Sequence, residues 1–315
     1  MSRQLVTQAL TLMCANYVFP EKAEEAAASI RTRRDAGEYD DLGEEALGQR
    51  LTEQLYAVCA DKHLRVRLRH TELHDAMTEE QARAVWLEQS RLANYGVARV
   101  ERLDGNVGYV DVREVAYPGV AARAIAAAME LVSHSHALII DLRKCRGGSP
   151  QGVIFWNSYL FPDDETHLND IYDGASGETR QFWSASYLPG ERYLDRPVFV
   201  LISASTFSGG EEFCYNLKAL GRATLIGETT GGGAHPTDQF PITPTIEITV
   251  PVARSINPIT GTNWEGTGVA PDVAVPAEQA MDVAYRRALQ HVVDTSAVSL
   301  SVRAEAQAAL AASAG

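Results

Sequence analysis

Ser208 stands in the stretch SASTFSGGEEF, residues 203–213, directly behind the apolar run PVFVLI of residues 197–202. A serine between a buried strand and a helix faces the unpaired N–H groups of the helix start, and these stabilise negative charge. Gly209 and Gly210 let a substrate come close to the backbone, and the Gly209 N–H is a candidate oxyanion donor. The same residues satisfy a plainer pattern, the S-x-x-E capping box from Ser208 to Glu211. Cap and nucleophile are compatible roles. The G-x-S-x-G elbow is absent from this stretch, so an α/β-hydrolase is not indicated.

A second N–H donor is available in DLRKCRGGSPQG, residues 141–152, where an apolar strand runs into paired glycines. Gly147 or Gly148 can present its N–H to a developing oxyanion, although a glycine turn after a strand needs no such role. Cys145 lies in this loop without a local histidine to generate a thiolate, which argues against it as nucleophile. The glycine-rich GETTGGGAHP, residues 227–236, has no following lysine and matches neither nucleotide-loop pattern. No cofactor and no metal are expected. A serine nucleophile needs a base, and the chain has eight histidines. His134 and His136 precede a strand, and His291 lies on a tail helix. His63, His70, His74, His167 and His235 remain, and the residues alone do not choose among them.

The elements that must position these residues are legible from periodicity. Residues 1 to about 60 read as helices: PEKAEEAAASIRTRRDAG opens on proline, carries acids early and arginines late, and stops at Gly37. DKHLRVRL alternates as a strand. Residues 71–92 read as a charged helix or linker. From Gly105 strands GNVGYVDVR, ALIIDLR, PVFVLIS and ATLIGE alternate with helical AARAIAAAMELVSHS, PQGVIFWNSYLF and GGEEFCYNLKAL, the mark of an α/β core. Residues 162–195 show no regular pattern and suit a binding or lid segment. TIEITVPVAR alternates strictly, and an Ala-rich helix follows Glu278.

Composition narrows the function classes. The chain has 315 residues, 45% of them hydrophobic, and a net charge of −13. That charge repels phosphate backbones, so nucleic acid is not expected as a partner. The four cysteines, Cys14, Cys59, Cys145 and Cys214, form no CxxC pair and read as reduced thiols. No stretch reaches the apolar length of a membrane span and no secretory signal is evident, so a cytoplasmic location is expected.

Taken together, DKHLRV, GNVGYVDVR, DLRKCRGG, STFSGGEEF, GRATLIGETTGGGAHP and WEGTGVAPD occur in the order found in the tail-specific, or C-terminal processing, serine peptidases. The chain most resembles their branch typified by interphotoreceptor retinoid-binding protein. The resemblance implies a crotonase-like α/β fold, a superhelix of ββα units, with a small helical N-terminal domain. It implies a helical domain over 1–75 ending in the DKHLRV strand, a linker over 76–100, a catalytic domain over 101–295 and an Ala-rich tail over 296–315. Ser208 takes the place of the nucleophile, with Gly209 and Gly148 as oxyanion donors and Gly147 beside them. The lysine base of many processing peptidases has its place at Gly233 here, so a Ser–Lys dyad is excluded there. The PDZ module that usually follows the D-x-H strand is missing. A related branch, typified by tricorn protease, uses histidine and glutamate, which places the base at His63 and its orienting carboxylate at Glu265, with His235 as second candidate base. In that branch a serine precedes the histidine; here the position is Lys62, which leaves the support of His63 open.

The resemblance therefore implies hydrolysis of peptides or small unfolded polypeptides, with a homo-oligomer left open. Two other functions use the same fold: a non-catalytic carrier of hydrophobic ligands, for which the aromatic 159–193 region offers a cleft, and an acyl-CoA enzyme with backbone oxyanion donors. The second has no reason to keep serine, histidine and glutamate together.

Overall fold

The computed structural model describes residues 2–69 and 78–312. In chain order its elements begin with helices α1 (Ser2–Asn16), α2 (Pro20–Asp35) and α3 (Glu44–Cys59), strand β1 (Arg65–Leu68) and helix α4 (Glu79–Leu92). There follow β2 (Val97–Leu103), β3 (Val107–Val112), α5 (Pro118–Val132), β4 (Ala137–Asp141), α6 (Pro150–Ser158), β5 (His167–Asp173) and β6 (Thr179–Trp183). The remainder comprises β7 (Val198–Ile202), α7 (Gly209–Ala219), β8 (Thr224–Gly227), β9 (Thr237–Pro241), β10 (Ile246–Pro251), β11 (Ala253–Ile256), β12 (Val273–Ala274), α8 (Ala280–Asp294) and α9 (Leu300–Ala312).

These elements form two compact units, each discontinuous in sequence. The first gathers the described residues of Met1–Leu87, Asp170–Gln181 and Gly233–Ile256. Its core is the inner face of α1–α3 laid on the β1-β10-β9 sheet. Helix α3 shows why: Leu47, Leu51 and Leu55 recur at four-residue spacing and are all buried, each contributing about 1.5–3 kcal/mol relative to exposure. Helix α2 starts on Pro20, with Glu21 in its first turn and Arg33 and Arg34 in its last, as its sequence predicts. The strand expected over DKHLRVRL begins only at Arg65. Residues 61–64 instead form a turn in which the Asp61 carboxylate accepts the His63 N–H, a local competitor to ladder pairing. TIEITVPVAR divides into β10 and β11; β11 pairs antiparallel with β5 in a separate small sheet. The 162–195 segment, read as irregular, contains β5 and β6.

The second unit gathers Glu88–Asn169, Phe182–Gly232 and the described residues of Asn257–Gly315. It is built on a six-stranded sheet ordered β12-β8-β7-β4-β3-β2, parallel except for β2 at the edge. Successive parallel strands are neighbours, so right-handed crossovers put α5, α6 and α7 on one face. The Ala280, Ala284 and Ala288 stripe of α8 packs on the other, against Tyr109, Ile139, Leu201 and Ile226. Every residue of β4 and β7 is buried, as expected of strands covered on both faces. The α/β core and the helical N-terminal region expected from sequence are both present. The Ala-rich C-terminal segment is two helices, α8 and α9, rather than one.

Candidate active site

Loops at the carboxyl ends of the adjacent parallel strands β4, β7 and β8 meet in the second unit, where open α/β sheets place their ligands. The loop after β7 carries Ser208 into α7. Ser208 has φ 52° and ψ −124°, a conformation that L-residues rarely adopt, and such strain collects at functional sites. The side chain is partly exposed. Gly209, first residue of the helix, contributes an N–H with no partner inside the helix.

The loop after β4 closes on this turn. Phe207 N–H donates to Cys145 O at 3.0 Å, and Thr206 Oγ1 to Leu142 O at 2.8 Å. Gly147 and Gly148 have φ 113° and 140°. A Cβ on Gly147 would lie 2.8 Å from Ser208 Cβ, and one on Gly209 would lie 3.2 Å from Gly148 N. The backbone nitrogens of Gly148 and Gly209 therefore lie near each other beside Ser208. Gly147 is oriented differently, with its N–H toward the Cys145 sulfur. Burial pushes the Cys145 thiol up to about 12, which removes it as a nucleophile.

The third loop is tied in by Glu211. One of its carboxylate oxygens accepts the Ser208 N–H at 2.9 Å, the acidic half of the expected capping box. The other accepts the Gly232 N–H at 2.6 Å and the Thr230 hydroxyl. Glu211 is fully buried. It is thus more than a cap: it binds the Ser208 turn to the loop after β8. That loop in turn holds the segment carrying Glu265. Gly266 N–H donates to Gly232 O at 3.2 Å, and Thr230 N–H to Val269 O at 3.2 Å. Glu265 itself is half-buried, with its N–H on Asn263 Oδ1 at 2.9 Å and Trp264 buried beside it.

The candidate bases His63 and His235 both lie in the first unit, and there they share one carboxylate. His235 is buried, with Nδ1 2.6 Å from Asp61 Oδ2. Asp61 Oδ1 accepts the His63 N–H at 3.0 Å. The Tyr17 hydroxyl donates to Asp61 Oδ2 at 3.2 Å. Burial pushes the Asp61 carboxyl up, but hydrogen bonds and charge from His235, with the His63 N–H, outweigh it and hold it below the usual range. Burial pushes the His63 imidazole down to about 4, against the pull of Asp61 and with help from His235 and Arg65, so His63 is neutral near pH 7. Asp61 and His235 are metal-ligating types, and each is engaged with the other. Of the other histidines weighed, His167 stacks on Trp183 at 4.3 Å, while His70 and His74 lie outside the described residues. Sequence reasoning missed Asp61; the signal was present in D-x-H, where an acid two residues ahead can take the histidine N–H.

Residues 106–275 match the model of peptidase family S41, and residues 2–94 match the N-terminal domain of peptidase S41 in eukaryotic IRBP. Among solved structures, a putative peptidase from Parabacteroides merdae aligns with TM-score 0.60 and 20% identity, over 87% of this chain and 90% of that one. The photosystem II D1 C-terminal processing protease aligns with TM-score 0.56 and 16% identity, over 88% and 94%. The tricorn protease aligns with TM-score 0.56 and 14% identity, over all of this chain and 37% of that one. At these identities the structural likeness is one of fold. Among the described residues no helix is long and apolar enough to cross a membrane.

Proposed function

Because the chain belongs to peptidase family S41 and is a serine-type peptidase, we propose that it cleaves peptide bonds through Ser208, on a crotonase-like superhelix. Ser208 Oγ attacks the scissile carbonyl carbon while His63 takes its proton. The carbonyl oxygen, now an oxyanion, is held by the N–H groups of Gly209 and Gly148. His63 then returns the proton to the leaving amine, and a water repeats the cycle to release the acyl group. Glu265 orients the imidazole and stabilises its charged form. The observation that carries the proposal is the strained Ser208 at the head of α7, with Gly148 N and Gly209 N gathered beside it. A non-catalytic carrier of hydrophobic ligands is not favoured by a match to a peptidase family. The four cysteines, none in a disulfide, favour a reducing compartment and hence the cytoplasm.

A fluorophosphonate probe tests the nucleophile. Wild-type protein is labelled at Ser208, and Ser208→Ala loses the label. Folded wild type that resists a high probe concentration, or a variant that still labels at the same peptide, overturns the proposal.

A further inference from the structure

A base also needs its backbone held, beyond any carboxylate that orients its ring. The first unit supplies that hold. The His63 backbone is fixed on both sides of its Cα: its N–H by Asp61 Oδ1 at 3.0 Å, and its C=O by the Thr249 hydroxyl at 2.5 Å. Thr249 is placed there by the pairing of β10 with β1, Arg65 opposite Thr249. Asp61 is only 1% exposed. A buried carboxylate is stable only when its lone pairs are met by donors. Here Oδ2 receives two, the Tyr17 hydroxyl at 3.2 Å and His235 Nδ1 at 2.6 Å. The donors are themselves walled in: Phe19 meets Tyr17 at 5.6 Å and His235 at 5.3 Å between ring centroids, edge to face in both cases.

We propose that Asp61 is a positioning residue for the His63 base, and that His235 and Tyr17 serve to hold Asp61. This rests on the peptidase function with His63 as base. Asp61 acts in two ways. Through the His63 N–H it fixes where the imidazole starts, and a misplacement of about 1 Å can cost a hundredfold in rate. Through its charge, close to the ring, it favours the protonated imidazole that forms as Ser208 gives up its proton. Burial, His235 and Arg65 all oppose that protonation, and Asp61 is the group that opposes them. The arrangement assigns His235 a different task from proton acceptor toward serine: its Nδ1 donates to a carboxylate whose second oxygen serves His63.

The test uses full-length protein with Asp61→Asn, Tyr17→Phe and His235→Asn, the last keeping a side-chain N–H donor close to where Nδ1 stands. Two readouts are taken: the labelling constants kinact and KI with the fluorophosphonate probe, and the pH titration of the His63 ring C–H resonances. Asp61→Asn is expected to lower kinact by about 30-fold or more with KI within about threefold, and to move the His63 titration to lower pH. Tyr17→Phe lowers kinact by about two- to fivefold, and His235→Asn by less than about tenfold. Wild-type kinact and an unmoved His63 titration in Asp61→Asn overturn the proposal. So does a His235→Asn protein as inert as Ser208→Ala, since His235 would then be the base itself. Should Asp61→Asn fail to fold, the other two variants decide. Should wild type resist the probe, the peptidase function with Ser208 fails, while the His63 titration in Asp61→Asn still judges the role of Asp61.

Discussion

Glu211→Gln is a near-isosteric change with a large expected cost. The buried carboxylate accepts three donors: Ser208 N–H at 2.9 Å on one oxygen, and Gly232 N–H at 2.6 Å with the Thr230 hydroxyl on the other. A glutamine offers one acceptor oxygen. It can turn that oxygen to Gly232 and Thr230, which sets its NH2 against the Ser208 N–H, or do the reverse and lose two bonds. In the better case one hydrogen bond to a charged group, about 1.5–3 kcal/mol, is removed, and a buried N–H is left facing another donor for about 1–3 kcal/mol more. The expected loss is thus about 2.5–6 kcal/mol, or about 5–24 °C in melting temperature for a domain of 150–250 residues. Because the lost bond is the one that fixes the Ser208 backbone, labelling by the fluorophosphonate probe is expected to fall further than the folded fraction does. Thermal unfolding by circular dichroism and the labelling rate of the folded variant read the two effects. A melting temperature within about 3 °C of wild type, together with an unchanged labelling rate, would refute the assignment of Glu211 as the tie between the two loops.

Three further outcomes are expected. Gly148→Ala forces an L-residue to φ 140° with its Cβ 2.5 Å from Val115 O; it should lose about 2–4 kcal/mol of stability and nearly all labelling, checked by urea unfolding and probe kinetics. The labelling rate of wild type should rise with pH through about 4, because His63 accepts a proton only when neutral and burial holds its conjugate acid at about 4; a midpoint near the ordinary histidine value would contradict this. Glu212 is wholly buried in α7, and burial pushes its carboxyl from 4.5 to about 8. The folded state then holds the proton more tightly than the unfolded chain, so this contribution is full below pH about 4.5 and is lost as pH rises to about 8. Glu212→Gln should flatten the decline of urea stability between those limits, and an unaltered slope would argue that the carboxylate stays ionised.

The extent to which each part of the molecule could be read from the chain follows from how local its causes are. The Ser208 turn is local: an apolar strand, S-x-x-E and two glycines within residues 197–211 specify strand, sharp turn and helix. Its strain was not legible, because the partners around it, Gly232 on Glu211 and Gly147 beside Ser208 Cβ, come from distant segments. The 162–195 segment concealed β5 and β6 because a strand paired with a distant partner, as β5 is with β11, need not alternate cleanly in its own sequence. The chain after Glu278, by contrast, was legible as helix from its alanine-rich composition, although the break between α8 and α9 was not.

Asp61 was the hardest to find, and the reason bears on mechanism. Its two histidines lie two and 174 residues away, and its tyrosine 44 residues away. Only the first of those separations leaves a trace in sequence, and that trace is an ordinary Asx turn. A carboxylate buried to 1% exposure is a poor choice for stability alone, since an apolar side chain of similar size would avoid the desolvation cost. Stability alone therefore does not account for Asp61. Holding one imidazole by its nitrogen and another by its backbone, with a full negative charge between them, is something an apolar residue cannot do.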